Sequence, residues 1–145
     1  MSFMSQYNHT MDAKGRMIVP AKYREGLGDS FIVTRGIDTC LFVYDSEEWQ
    51  KVMNKLSEAR LTSDKVRKFT RYLVGGATEV ELDSQGRILV PNYLREHASI
   101  NKDVVLVGMG NHIEIWAREK YEETMDATDI EQLTNELDEA GIWLI

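Results

Sequence analysis

The sequence predicts an α+β fold made of two copies of one unit. Each copy runs β-turn-β-α-β-β, and the two are expected to close against each other around a pseudo-twofold axis. Three observations predict this. First, the 145-residue chain repeats itself once: Met11-Asp12-Ala13-Lys14-Gly15-Arg16-Met17-Ile18-Val19-Pro20 matches Leu82-Asp83-Ser84-Gln85-Gly86-Arg87-Ile88-Leu89-Val90-Pro91 at an offset of 71. Asp, Gly, Arg, Val and Pro coincide, and apolar positions stay apolar. Second, the match continues. Arg24-Glu25 falls on Arg95-Glu96, and after one inserted residue Gly36, Leu41, Val43, Tyr44 and Trp49 meet Gly108, Ile113, Ile115, Trp116 and Tyr121. Third, two copies are too few for a solenoid, which needs three or more, and each half is too small to bury a core alone.

The elements follow in order. Residues 4–11 and 77–82 read as strands; in the second, Glu79 and Glu81 alternate with Thr78, Val80 and Leu82. Asp-x-x-Gly-Arg is a turn, because Asp bonds the backbone two residues on and Gly supplies a positive φ. Met17–Val19 and Ile88–Val90 are short buried strands. Pro20 and Pro91 suit the first turns of short helices over about residues 20–26 and 91–97, where a missing N–H costs nothing. Gly26 and Gly28 end the first of these. Phe31–Thr34 with Cys40–Tyr44 makes a hairpin, and Val104–Val107 with His112–Trp116 its copy.

Three helices lie outside this repeat. Asp45-Ser46-Glu47-Glu48 resembles a capping box, followed by an apolar stripe of Trp49, Val52, Met53 and Leu56. Thr62 or Ser63 starts the next, with Val66, Phe69 and Leu73 inward and Lys65, Arg67, Lys68 and Arg71 outward. Ile130, Leu133 and Leu137 mark a tail helix among acids, and the apolar Ile142–Ile145 end is expected to dock on something. The expected organisation is a first repeat over 6–48, a helical linker over 49–76, a second repeat over 77–120 and an acidic C-terminal tail over 121–145.

Composition excludes several classes. The chain is 43% hydrophobic and 28% charged, as ordinary globular proteins are. No apolar run approaches a membrane span, no leader is visible at the start, and the single Cys40 cannot form an internal disulfide. A cytoplasmic protein without membrane contact is expected. The net charge of -7 argues against nucleic acid until it is divided. Residues 1–75 carry a balance of +3 and residues 76–145 one of -10, and nine acids lie between Glu119 and Glu139. The acidity belongs mainly to the tail, which leaves the body free to present a basic face.

The duplicated turns are the best candidates for function. A turn at a hairpin tip projects its side chains outward. That offers Lys14 and Arg16 from one half, and Gln85 and Arg87 from the other, on one side of a twofold. The arginine fork can bond guanine O6 and N7 or clamp phosphate, glutamine can read adenine, and a β-ribbon fits the major groove. Asp12, Gly15, Asp83 and Gly86 are the turn-forming residues. Asp12–Arg16 and Asp83–Arg87 pairs could merely brace each turn, but an exposed pair contributes only about 0–1 kcal/mol, a weak reason to build the turn twice.

Enzymatic and metal readings lack support. Glu79, Glu81 and Asp83 could face one way, but a solvated strand face accounts for them. His9, His97 and His112 have no metal-ligand spacing, and each reads as a surface or satisfied polar residue. Cys40 reads as a buried inert thiol. No catalytic residue, metal, cofactor or small-molecule substrate is expected.

The twin motifs Asp12-Ala13-Lys14-Gly15-Arg16 and Asp83-Ser84-Gln85-Gly86-Arg87 resemble the Asp-x-x-x-Arg motifs of the MraZ family. The resemblance extends through Ile18–Glu25, Cys40-Leu41-Phe42, Gly76–Glu79 and Ile113–Trp116. It implies two AbrB-like swapped-hairpin repeats closing one barrel within a single chain. It also implies a bacterial regulator of the cell-division and cell-wall gene cluster. Such a protein would bind double-stranded DNA at repeated promoter boxes as a homo-oligomeric ring and reside on the nucleoid. By motif position the DNA-reading roles fall on Lys14, Arg16 and Arg87. AbrB-like folds also serve as partner-binding modules such as antitoxins, and a protein-interaction module is the alternative reading.

Overall fold

The computed structural model describes residues 2–59 and 62–144. Residues 60 and 61 of the expected linker and Ile145 of the expected apolar end lie outside them. The first repeat contributes β1 (Gln6–Thr10), β2 (Arg16–Ile18), α1 (Ala21–Leu27), β3 (Ser30–Arg35) and β4 (Leu41–Tyr44). Two helices follow, α2 (Ser46–Glu58) and α3 (Asp64–Leu73). The second repeat supplies β5 (Thr78–Glu81), β6 (Arg87–Leu89), α4 (Asn92–His97), β7 (Asp103–Gly108) and β8 (Ile113–Ala117), then α5 (Arg118–Asp126) and α6 (Ile130–Glu139).

Local chemistry sets the helix ends. Pro20 and Pro91 occupy the N-cap positions of α1 and α4, with extended ψ of 141° and 150°. Asp45 caps α2 by accepting from the Glu48 N–H at 2.7 Å, and Asp129 caps α6 by accepting from Gln132. Gly26 lies inside α1, and Gly28 ends it with φ 79°. Its counterpart at the end of α4 is Ser99, which takes the left-handed φ of 56° without glycine's freedom.

The two repeats exchange strands. The order β1-β7-β8-β4-β3-β5 forms one antiparallel sheet of six strands, and β2 pairs with β6 in a separate ribbon. Interchanging the repeats turns the sheet order into its own reverse, so the pseudo-twofold axis runs between β4 and β8. β1 lies on β7 in the register Tyr7↔Leu106, and β5 lies on β3 in the register Phe31↔Val80. The ribbon is centred on Met17↔Ile88.

The expected closed barrel does not form among the described residues. β1 and β5 remain the edges of an open sheet, and the ribbon packs across it as a second layer. Beyond the three paired residues, the Val19 N–H donates to Gly86 O at 3.0 Å and the Val90 N–H to Gly15 O at 2.9 Å, which holds β2 and β6 together along one edge of each. On its other edge β2 meets the chain just after β1 at a single Met11–Met17 bridge, with the Asp12 N–H donating to Arg16 O at 2.9 Å, and on β6 the Asp83 N–H donates to Arg87 O at 2.9 Å; these contacts are too short to continue the sheet.

The core lies between the layers. Met17, Val19, Ile88 and Val90 face Phe31, Val43, Leu106, Ile113 and Ile115, all buried. Tyr23 on α1 is buried between Phe3 and Tyr7, edge-on to both, and its hydroxyl donates to Ser5 O at 2.6 Å. Thr34 is fully buried and donates to Leu73 O at 2.5 Å, tying α3 to β3. Phe69, expected inward, is 41% exposed: it stands at the margin of the face whose buried residue is Leu73, with Val66 half-buried. α5 was not expected. It begins directly after β8 as α2 follows β4, and Tyr121 packs on Trp116 as Trp49 packs on Tyr44.

Candidate nucleic-acid interface

Each turn is built by one carboxylate. Asp12 Oδ1 accepts from the Lys14 and Arg16 N–H groups at 3.0 and 2.9 Å, and Oδ2 accepts from Arg16 Nε at 2.7 Å. Asp83 repeats this with Gln85, Arg87 and Arg87 Nε at 2.8, 2.9 and 2.8 Å. The Gly15 N–H donates to Asp12 O and the Gly86 N–H to Asp83 O, both at 3.0 Å. Donation from the Arg16 amide is the largest influence on the Asp12 carboxyl; desolvation opposes it, and the Arg16 side chain and Lys14 amide add to it, holding the carboxyl at about 2. Asp83 is lowered likewise, first by the Arg87 amide.

The bracing pairs therefore exist, and they do not use up the arginines. Each engages only Nε. Among the described residues, the Nη groups of Arg16 and Arg87 have no hydrogen-bond partner. Arg16 is 38% exposed and Arg87 28%. Each Asp thus fixes the direction of a fork whose outer donors stay available, which lowers the entropy lost on engaging a ligand.

Register decides which way the forks face. Residues opposite each other in an antiparallel pair share a face, as do residues two apart on one strand. Arg16 pairs with Leu89 and Ile18 with Arg87. These four side chains therefore lie on the outer face, and Met17 and Ile88 lie on the buried one. Arg16 and Arg87 are diagonal neighbours, about 7–8 Å apart at the backbone. The tips themselves stand at the two ends of the ribbon. Four residue steps lead from Gly15 to Val19, the partner of Gly86, a span of about 13 Å, against a major groove about 12 Å wide. Lys14 and Gln85 are exposed at these ends.

Two further arginines pack against these turns, and the sequence reading gave them no role. Each crosses the pseudo-twofold onto the opposite turn. Arg24 on α1 lies over Gly86, leaving no room there for a Cβ. Arg95 on α4 lies over Gly15, where a Cβ would stand 2.7 Å from its Nε and 2.6 Å from Val90 O. Arg95 Nε donates to Val90 O at 3.0 Å. The signal was present in the coincidence of Arg24-Glu25 with Arg95-Glu96, but only the strand exchange shows what those arginines face.

The other candidates do not join this surface. Cys40 is buried, and burial pushes its thiol up to about 12. His97 faces the Tyr72 hydroxyl at 3.2 Å, and that hydroxyl donates to Gly36 O. His112 is not fully satisfied: Nδ1 meets Asn111 Oδ1 at 2.7 Å, but the buried Nε2, beside Phe42 and Tyr44, has no partner among the described residues. No group of three or more His, Cys, Asp or Glu among the described residues is arranged to hold a metal. No described helix is long and apolar enough to cross a membrane.

The same doubled pattern appears in known proteins. The family model for the MraZ protein, antitoxin-like, matches residues 2–72 and again 73–141. The chain belongs to the MraZ family. It is 50% identical over 141 residues to the transcriptional regulator MraZ of Thermoanaerobacter sp. (strain X514), covering 96% of this chain and 99% of that one. The transcriptional regulator MraZ of Clostridium tetani (strain Massachusetts / E88) is 48% identical, covering 97% and 99%. That of Desulforamulus reducens (strain ATCC BAA-1160 / DSM 100696 / MI-1) is 52% identical over 120 residues, covering 83% and 84%. MraZ is not an enzyme family. The family model's first match takes in α2 and most of α3, and its second takes in α5 and α6, so the helices belong to the MraZ pattern together with the strands.

Proposed function

We propose that this chain is a sequence-specific, DNA-binding transcriptional regulator that lays the outer face of the β2/β6 ribbon into the major groove. The observation that supports this is the pair of Asp-held forks, Arg16 and Arg87, on one face of one ribbon, with Nη groups that have no hydrogen-bond partner among the described residues. Arg16 and Arg87 read guanine edges. Lys14 and Gln85, at the two ends, contact phosphate or base edges. Asp12, Gly15, Asp83 and Gly86 keep the turns in shape. The relatives' name, transcriptional regulator, agrees with this reading.

The finer reading is that of the family resemblance. The duplex carries repeated boxes in a promoter of the cell-division and cell-wall cluster. The protein works in the cytoplasm on the nucleoid, as a homo-oligomeric ring that engages several boxes at once. A single ribbon makes few contacts, and linking several raises overall affinity when box and subunit spacing agree.

Fluorescence anisotropy on a duplex carrying repeated boxes tests the reading. Arg16→Ala and Arg87→Ala should each weaken binding about tenfold or more, as loss of a bidentate base contact does. Lys55→Ala on α2 removes the same charge away from the ribbon and should cost about twofold at most. Equal losses from all three would reduce the interaction to bulk charge and overturn the assignment. If no duplex binds while a protein partner is bound through Arg16 and Arg87, the antitoxin-like module is the correct reading.

A further inference from the structure

The last helix carries an apolar stripe that is largely exposed, with only Leu137 half-buried. Ile130, Leu133 and Leu137 recur at i, i+3 and i+7 on α6 and share one face. Ile130 is 61% exposed, and just beyond the helix Trp143 is 78% exposed. Helical spacing puts Glu131 and Asp138 along one margin of the stripe and Glu136 along the other. α6 contains four acids and no lysine or arginine.

α3 presents the opposite. Its half-exposed Phe69 has Lys65 one turn before it and Lys68 beside it, and the helix holds Lys65, Arg67, Lys68 and Arg71 against one acid, Asp64. That carboxylate already meets Lys68 at 3.0 Å and Arg67 at 3.6 Å. Lys65 has no salt-bridge partner among the described residues. α6 is not among the elements that pack closely on another, α3 included. An acid-margined apolar stripe and a lysine-margined aromatic are thus carried by every copy, and the two do not pack closely on each other within the chain.

We infer that α6 and the Ile142–Leu144 end of one copy dock on the Phe69 face of α3 in a second copy. The stripe covers Phe69, Glu131 and Asp138 face Lys65 and Lys68, and Trp143 supplies the large anchor that such interfaces favour. The contact is head-to-tail, joining two different surfaces, so repetition closes a ring where the rotation allows. This deepens the homo-oligomer reading above by naming its contact surface.

The test uses the full chain and sedimentation velocity. Lys65→Glu/Lys68→Glu and Glu131→Lys/Asp138→Lys should each lower the assembled mass by at least half at a concentration where the parent is assembled. The four changes combined should restore it. All four side chains are exposed in the single chain, and unchanged circular dichroism melts would show that each variant folds. Parent-like mass in both double variants would overturn this surface and leave the oligomer standing. A parent that stays monomeric would overturn both. Tighter binding of a single-box duplex by a double variant, at unchanged mass, would mean that the acidic helix covers its own ribbon and would also overturn the inference.

Discussion

Replacing the motif glycines by alanine separates two costs that the two turns combine. Gly15, Gly86 and Gly110 all have positive φ, at 91°, 76° and 85°, so alanine is strained at each by about 1–2 kcal/mol. Their surroundings differ. At Gly110 a Cβ meets nothing within 4 Å, so the strain stands alone. At Gly86 it meets the end of the Arg24 side chain, which can swing away; the total stays near 2 kcal/mol. At Gly15 it would come to 2.6 Å from Val90 O, a backbone atom that also accepts from Arg95 Nε. The ribbon must open there, and losing one such hydrogen bond adds about 1 kcal/mol, for a total near 3. In a chain of this length the midpoint falls by about 2–4 °C per kcal/mol. Differential scanning calorimetry should therefore rank Gly110→Ala mildest, Gly86→Ala close behind, and Gly15→Ala lowest by several degrees. DNA affinity should separate the two variants that stability barely distinguishes: Gly86→Ala, which displaces Arg24, should weaken binding more than Gly110→Ala does at equal folded fraction. Equal melting temperatures for Gly15→Ala and Gly110→Ala would refute the tight approach of the two repeats at the ribbon.

Three other outcomes are expected. The Asp12 carboxyl should titrate near 2 by NMR, against about 3.9 in an unfolded chain; because the folded value is the lower one, its stabilisation is complete above about pH 4 and is lost as pH falls toward 2, and a midpoint near 3.9 would disprove the turn geometry. Ser99→Gly should stabilise by about 0.5–1 kcal/mol, since relief of the left-handed strain exceeds the extra freedom gained by the unfolded chain, so an unchanged urea midpoint would argue that Ser99 bears no strain. Thr34→Val should destabilise by about 1–2 kcal/mol, leaving Leu73 O without its buried donor, and hydrogen exchange should rise in α3 ahead of β7.

The sequence carried the repeat, the two turns and the short helices, because these depend on local chemistry: Asp and Gly at fixed spacing, Pro at a helix start, apolar alternation. It did not carry the pairing. Alternation in residues 77–82 says that a strand exists and which residues it buries, but β5 lies on β3 and β1 on β7 only because the two halves interlock. The open sheet was hidden for the same reason, since only the register shows that β2 and β6 pair with each other and touch the sheet at single bridges such as Met11–Met17. Arg16 and Arg87 could be named from the motif alone, whereas their common face needed the register of the ribbon. Arg24 and Arg95 were visible as a coincidence without a meaning. α5 was foreshadowed by Tyr121 matching Trp49, but its weak amphipathicity hid it among acids.

The palindromic strand order has a consequence for how the two halves can change. Were the unit a homodimer of identical chains, any substitution at one tip would appear at the other, and both would have to suit the same neighbour. Here a covalent tether guarantees that unlike halves meet. Lys14 can therefore sit opposite Gln85, and Tyr23 can correspond to Leu94, with neither forced on its counterpart. Fusion removes the symmetry constraint while the interlocked strands keep the geometry, and the ribbon gains a polarity that a dimer of equals could not express.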